Sequence, residues 1–151
     1  INTKKVVGQH GGVMYYTVGQ RKGLDIGGIG PFYVIGKDVT KNELYVTDEE
    51  HQEWLYSTSC SIIDVNWLAD RKLPLTCNAK FRYRQQDNPV TVSLREDGTL
   101  IASFPEKIRS VTPGQEAVIY DGDTLVCGGK IDVVYQDDKD LMKEILDTVN
   151  A

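Results

Sequence analysis

Alternation of apolar and polar residues is the strongest pattern in the chain, and it predicts β-strands. In the segment "LTCNAKFRYR" every second residue is apolar or aromatic, and the residues between them are polar or basic. Because successive side chains of a strand point to opposite faces, one set is expected in a core and the other on an outer surface. The predicted core face comprises Leu75, Cys77, Ala79, Phe81 and Tyr83. The predicted outer face comprises Thr76, Asn78, Lys80, Arg82 and Arg84.

Strand-like segments recur through the second part of the chain. They are "SCSIIDVNWL", "LTCNAKFRYR", "VTVSLRE", "TLIASF", "EAVIYD" and "TLVCGGKIDVVY", joined by turn formers such as "DNP", "EDG", "TPG" and "DGD". Six strands at this spacing predict a mainly β protein built on a small closed antiparallel barrel or sandwich. Upstream, "PFYVIG" and "NELYVT" flank "KDVTK", which predicts a hairpin.

Helical signals are few. In "VTDEEHQEWL", Thr47 is the predicted N-cap of a short helix, with Glu50 completing a capping box. The tail places apolar residues on one helical stripe, which is about three turns long and needs a surface to dock on. The stripe comprises Leu141, Met142, Ile145, Leu146 and Val149. We therefore expect a small mixed α/β central segment over residues 1–53, a barrel domain over 54–136 and an acidic amphipathic helical tail over 137–151. The first unit is too short to form a large hydrophobic core of its own and is expected to pack against a neighbouring domain.

The charge distribution changes the functional picture. A formal net charge of −5 counts against nucleic-acid binding, since phosphate contacts need Lys and Arg. The bases are nevertheless clustered in two acid-free stretches, and each charge acts over only about 10 Å. Residues 1–24 contain Lys4, Lys5, Arg21 and Lys22, and residues 71–86 contain Arg71, Lys72, Lys80, Arg82 and Arg84. These two basic islands allow an anionic partner.

Composition sets further limits. No apolar run approaches the ~20 residues that cross a bilayer, so no membrane association is expected. The first residue is Ile1 rather than Met, which predicts a piece of a longer protein. Cys60, Cys77 and Cys127 are widely separated and odd in number, which disfavours a disulfide framework or a zinc site. They are expected to be buried thiols in a reducing compartment, and the cytoplasm is the predicted location.

No complete active site is evident. "CGGKID" lacks the spacing and the hydroxyl of a phosphate loop, and Pro31 follows "GLDIGGIG" where a dinucleotide site needs a helix. Neither His10 nor His51 has a metal-ligand partner at useful spacing, so structural or solvent-exposed roles are favoured for both. The expectation is no catalytic residue, no metal site and no cofactor bound by this chain.

Two motifs remain as binding candidates. Arg82, Tyr83 and Arg84 set guanidinium groups beside an aromatic ring, which suits phosphate contacts and stacking on an unpaired RNA base. The alternative is a solvated edge strand protected by charges. In "GQRKGL", glycines allow close backbone approach to an anion while Arg21 and Lys22 supply donors. The alternative there is a plain turn.

Longer motifs resemble a known family, the bacterial tRNA-specific 2-thiouridylases. "HGGVMYYTVGQRKGLDIGG" and "PFYVIGKDV" are similar to its central segment, and "KFRYRQQDNPVTV" and "IRSVTPGQEAVIYDGDTLVCGGKI" to its C-terminal barrel. The resemblance implies a barrel like the second domain of translation elongation factors. It also implies an enzyme that uses ATP with magnesium to adenylate C2 of the wobble uridine, which then receives sulfur from a persulfide.

The same resemblance assigns the chemistry elsewhere. The family's S-G-G-x-D-S loop and catalytic cysteine pair do not occur in this chain, so they belong to a missing N-terminal domain, and this fragment is expected to be inactive alone. The implied partners are the anticodon arm of tRNA, the chain's own N-terminal catalytic domain and a persulfide sulfur-donor protein. The implied RNA-binding residues are Arg82, Tyr83 and Gln115, with Arg84, Arg21 and Lys22 as further candidates. The alternative is a translation-factor-like barrel that braces protein only.

Overall fold

A computed structural model describes residues 18–20, 32–38, 40–81 and 87–150. A β-hairpin comes first and a 3₁₀ helix over Glu49–Leu55 follows it. The hairpin strands are β1 (Phe32–Asp38) and β2 (Glu43–Asp48). The next strands are β3 (Tyr56–Trp67), β4 (Leu75–Lys80), β5 (Asn88–Leu94), β6 (Leu100–Arg109), β7 (Glu116–Asp121) and β8 (Thr124–Gln136). A short strand β9 (Lys139–Asp140) leads directly into the helix α1 (Leu141–Asn150).

The strands from β3 to β8 form a closed barrel. Neighbours follow the order β3-β6-β5-β4-β7-β8, and β8 pairs back with β3. Every pairing is antiparallel. The predicted six-stranded antiparallel barrel in a mainly β chain is therefore confirmed. Closure leaves no barrel strand with an unpaired edge, which removes the risk of edge-to-edge association.

The alternation in β4 has the predicted sense. Cys77, Ala79 and Phe81 are buried, whereas Thr76 is exposed. The ring of Phe81 is fully buried and lies 5.2 Å from the ring of Phe104, centroid to centroid, in the barrel core. The prediction of inner and outer faces is thus confirmed as far as Phe81. The later residues of the pattern lie outside the described residues.

Closure of the barrel depends on Gly129. A Cβ on this residue would lie 2.6 Å from Cγ2 of Ile62 and 2.7 Å from the backbone oxygen of Ile63. The close approach occurs where β3 bulges, because its register against β8 shifts between Ile63 and Asn66. The second glycine of "CGGKID" therefore serves close packing of two strands rather than phosphate binding.

The predicted hairpin is confirmed, and a short upstream segment joins it. β1 and β2 pair antiparallel with a register shift between Val34 and Gly36. On the other edge of β1, the backbone nitrogen of Gly19 donates to the oxygen of Val34 at 2.7 Å. The nitrogen of Val34 in turn donates to the oxygen of Gln20 at 3.0 Å. The residue before Arg21 is therefore anchored to the hairpin.

The predicted helix cap is wrong by one residue. Asp48 is the N-cap of the 3₁₀ helix, and its carboxylate accepts from the backbone nitrogen of Glu50 at 3.2 Å. Thr47 is buried in β2 opposite Tyr33, and its hydroxyl donates to the backbone oxygen of His51 at 2.7 Å. Pairing with β1 holds Thr47 in the strand, so the next residue caps the helix.

The tail forms the predicted helix and docks on the hairpin. Leu141 and Ile145 are buried in the same apolar core as Tyr33 and Ile35. A Cβ on Gly36 would lie 2.9 Å from Sδ of Met142, so the helix packs directly on β1. The hairpin, the barrel and the helix therefore share one core. The proposed division at residues 53 and 136 stays a prediction, and its first boundary falls within the 3₁₀ helix.

Candidate nucleic-acid interface

Strand order decides which loops lie together. Because neighbouring barrel strands alternate in direction, β4 and β6 end where β5 and β7 begin. The same end receives the 3₁₀ helix that precedes β3 and the helix that follows β8. We call it the hairpin end, defined by Leu55, Phe81, Asp87 and residues 110–115. The distal end carries the loops over residues 68–74, 95–99 and 122–123.

Gln115 lies on a tight turn at the hairpin end. Gly114 takes a φ of +91°, which favours glycine, and its nitrogen donates to the oxygen of Ile131 at 2.8 Å. The backbone nitrogen of Gln115 donates to the backbone oxygen of Thr112 at 3.3 Å. The backbone oxygen of Gln115 accepts from the backbone nitrogen of Ile131 at 2.9 Å. Both backbone polar groups of Gln115 are thus engaged, and the turn holds its backbone in place.

The side-chain oxygen of Gln115 lacks a hydrogen bond among the described residues. This atom, Oε1, is buried. A buried acceptor without a donor costs about 1–3 kcal/mol. A group that satisfies it must donate, as a water molecule, a hydroxyl or an amino group does and a phosphate oxygen does not. Resemblance alone singled out Gln115, and its role in RNA binding stays a prediction.

The other predicted RNA-binding residues lie outside the described residues. For Arg82, Tyr83 and Arg84, the structure describes the flanking residues Phe81 and Asp87, both at the hairpin end with Gln115. For Arg21 and Lys22 it describes the anchored residue Gln20 next to β1. Their roles in RNA binding stay predictions.

The second basic island is divided between the two ends of the barrel. Arg71 and the exposed Lys72 precede β4 at the distal end, and Lys80 ends β4, which spans roughly 17 Å. Two of these three bases are paired. Arg71 Nε lies 2.8 Å from Oδ2 of Asp121, and Lys80 Nζ lies 3.6 Å from Oδ1 of Asp87. Among the described residues, the island is therefore not one continuous cationic surface.

A contact between the barrel and the hairpin was not foreseen. The guanidinium carbon of Arg109, at the end of β6, lies 5.0 Å from the ring centroid of Tyr33 in β1. Its Nη2 atom donates to Oε1 of Gln52 in the 3₁₀ helix at 3.5 Å. The Tyr33 hydroxyl donates to Oε1 of Glu49, and Gln52 Nε2 donates to the other carboxylate oxygen of Glu49 at 2.9 Å. We call these four residues the Arg109 clamp. Gln52 is 57 residues from Arg109, so no local pattern signals their contact.

His51 and the three cysteines have structural environments, and His10 lies outside the described residues. His51 Nδ1 lies 2.6 Å from Oδ1 of Asp48, and this hydrogen bond raises the pKa of the imidazole and lowers the pKa of the carboxyl. The prediction of buried thiols is confirmed. Burial raises the pKa of Cys60 to about 12 and the pKa values of Cys77 and Cys127 to about 11.

Metal-ligand clusters and membrane-spanning helices are both absent from the described residues. In this part of the chain, no group of three or more His, Cys, Asp or Glu residues could hold a metal ion. No helix in the same part has the length and apolar character needed to span a bilayer.

Two family models match successive parts of the chain. Residues 1–48 match the tRNA methyl transferase PRC-barrel domain, and residues 57–131 match the aminomethyltransferase beta-barrel domain. The second match begins just after the start of β3 and ends within β8, so it follows the observed barrel.

Curated relatives match the chain across both parts. The tRNA-specific 2-thiouridylase MnmA of Enterococcus faecalis is 52% identical over 144 residues, which cover 91% of this chain and 38% of the relative. MnmA 2 of Geobacillus kaustophilus is 51% identical and MnmA of Listeria monocytogenes is 49% identical, each over 140 residues with the same two coverages. The chain thus spans about 38% of the length of these relatives. From these matches, the chain belongs to the tRNA-specific 2-thiouridylase family and corresponds to its C-terminal part.

Proposed function

We propose that this chain is the tRNA-binding and positioning part of a tRNA 2-thiouridylase, and that the hairpin end of the barrel contacts the tRNA. The relatives that support the proposal are named tRNA-specific 2-thiouridylases and share about half of their matched residues with this chain. The observation that carries the location is the buried Oε1 atom of Gln115, which has no hydrogen-bond partner in the part of the chain that the structure describes.

A fixed acceptor of this kind suits RNA. A 2′-hydroxyl can donate to Oε1 of Gln115, and this group distinguishes RNA from DNA. The amide nitrogen of a glutamine can donate to a phosphate or a base edge at the same time. Arg82 and Arg84 are proposed to add phosphate contacts, and Tyr83 to stack on a base. These contacts would hold the anticodon arm while the target base leaves its stack.

The chemistry is assigned to the part of the enzyme outside this chain. We propose that the whole enzyme thiolates C2 of the wobble uridine with ATP and persulfide sulfur, in the cytoplasm. ATP and its magnesium ion are proposed to bind the N-terminal domain, which is where the family resemblance places the S-G-G-x-D-S loop. A persulfide-carrying protein and the N-terminal domain are the other proposed partners.

The first test replaces Gln115 by leucine in the full-length enzyme. Leucine has a similar volume and removes the unpartnered oxygen, so the melting temperature is expected to stay the same or rise. Loss of one hydrogen bond to RNA is expected to weaken tRNA binding by about tenfold, which corresponds to ~1.4 kcal/mol. Asn66→Leu is the matched control, because Asn66 is an exposed amide in β3 on the distal side of the barrel. An unchanged dissociation constant for Gln115→Leu would contradict the proposal.

The same titrations test the arginine contact. Arg82→Ala is expected to weaken tRNA binding and to make the plot of log K against log salt shallower by about 0.7 to 0.9. Lys72→Ala removes an equal charge from an exposed site at the distal end and is expected to leave the slope unchanged. If both variants changed the slope equally, the effect would reflect net charge rather than a phosphate contact at the hairpin end.

A structural brace is the second candidate function. The pairing of Lys80 with Asp87 and of Arg71 with Asp121 favours it, because paired bases are less available to phosphates. A brace predicts no effect of Gln115→Leu or Arg82→Ala on tRNA affinity. Photocrosslinking of the intact enzyme to tRNA, followed by peptide mapping, separates the two functions. Crosslinks to peptides of the hairpin end support RNA contact, and crosslinks confined to other domains support the brace.

A further inference from the structure

The Arg109 clamp joins three elements through contacts between residues that are distant along the chain. Tyr33 belongs to the hairpin, Glu49 and Gln52 to the 3₁₀ helix, and Arg109 to the barrel strand β6. Tyr33 is 9% exposed, so the face on which the guanidinium lies is largely shielded from water. The backbone next to Arg109 reinforces the junction, because the nitrogen of Ser110 donates to the oxygen of Leu55 at 2.8 Å.

The environment of Arg109 is unusual for a group that only adds stability. Among the described residues, no carboxylate lies within salt-bridge distance of its guanidinium, and its Nε atom is buried without a hydrogen-bond partner. A partly buried charge without a counterion often adds less stability than an apolar side chain of the same volume. What the planar guanidinium does provide is direction, since its carbon lies over the Tyr33 ring while its Nη2 atom donates to the Gln52 amide oxygen.

Resting on the proposed function, we propose that Arg109 is a positioning residue. It fixes the orientation of the β1–β2 hairpin relative to the hairpin end of the barrel. The RNA held at the barrel is thereby presented to the rest of the enzyme at one angle. The hairpin transmits this orientation further, because Val34, next to Tyr33, is bonded through its backbone to Gly19 and Gln20.

The clamp makes a distinct kinetic prediction. A residue that binds RNA changes the affinity for tRNA, whereas a residue that orients bound RNA changes turnover. A misplacement of about 1 Å can cost up to roughly a hundredfold in rate. For Arg109→Met, which keeps the apolar stem and loses the stack and the hydrogen bond, we expect kcat to fall by roughly tenfold or more. The dissociation constant for tRNA is expected to stay within about twofold, because the Gln115 turn is untouched.

The experiment combines that kinetic measurement with amide hydrogen exchange on the full-length enzyme without RNA. In Arg109→Met, amides of β1 and β2 are expected to exchange roughly five- to tenfold faster, with barrel amides unchanged. Arg109→Lys keeps the charge but loses the planar fork, so it is expected to behave like Arg109→Met. Lys107→Met is the matched control, because Lys107 is an exposed base on the same strand.

Each alternative outcome has a separate meaning. Hairpin exchange equal to that of the Lys107 control would overturn the clamp. A uniform rise in exchange through the barrel would show that Arg109 is only a stabilising residue, and weaker tRNA binding with normal kcat would show that it is an RNA contact. Both results overturn the positioning role. If the wild-type enzyme neither bound nor thiolated tRNA, the proposed function would fail and the presentation of RNA with it. The exchange data would then still decide whether Arg109 orients the hairpin.

Discussion

Replacement of Gly129 by alanine is expected to strain the closure of the barrel. The added methyl group would meet Cγ2 of Ile62 at 2.6 Å and the backbone oxygen of Ile63 at 2.7 Å, with Cα of Val65 at 3.4 Å. Carbon atoms pack best at about 3.5–4.0 Å, so both close neighbours would have to move. The Ile62 side chain can change rotamer, but the Ile63 carbonyl can move only with its strand.

The magnitude follows from these contacts. Overpacking of a core costs about 1–3 kcal/mol, and a clash with backbone favours the upper part of that range. Replacing glycine also restricts the unfolded chain, which stabilises the fold by about 0.4–1 kcal/mol. The net loss is therefore about 2 kcal/mol. For a chain of this size it corresponds to a fall in melting temperature of roughly 4–8 °C.

The adjacent glycine is a matched control. A Cβ on Gly128 would meet only the backbone oxygen of Ala117, at an ordinary contact distance of 3.5 Å. Gly128→Ala is expected to be neutral or slightly stabilising, by up to about 1 kcal/mol. Urea and thermal unfolding followed by circular dichroism would compare the two variants with the wild type. Equal stability of Gly129→Ala and Gly128→Ala would refute the role of Gly129 in closure.

Two further predictions concern titratable groups. Burial raises the pKa of Cys60 to about 12 and the pKa values of Cys77 and Cys127 to about 11, so the native chain at pH 8 should react very slowly with a thiol reagent such as DTNB. All three cysteines should react in denaturant. Rapid labelling of the native state would contradict their burial. The hydrogen bond between His51 and Asp48 stabilises the fold most between pH 3.8 and 6.5. The pKa of His51 is raised, so its contribution is lost as pH rises through the pKa of His51 in the folded state. The pKa of Asp48 is lowered, so its contribution is lost as pH falls through the pKa of Asp48 in the folded state. His51→Gln should therefore lower the melting temperature more at pH 5.5 than at pH 8.5, and an equal effect at both would exclude the ion pair.

Local patterns were sufficient wherever neighbours in sequence decide the conformation. Alternation separated the buried Cys77, Ala79 and Phe81 from the exposed Thr76, because the two faces of a strand differ whatever its partners are. Helical spacing likewise identified α1 and its buried Leu141 and Ile145. The resemblance named the family, and it named Gln115 without a physical reason.

Long-range contacts decided the rest. Thr47 has the side chain of a good N-cap, but its pairing with Tyr33 keeps it in β2 and transfers the cap to Asp48. No local pattern distinguishes Gly129 from Gly128, because the difference is the distance from β8 to β3. The same holds for the contacts of Arg109 and for the Gln115 oxygen that has no partner among the described residues. Sequence alone therefore determined which face of each element is apolar. The tertiary structure determined which faces and ends meet, because those contacts join residues that are distant along the chain.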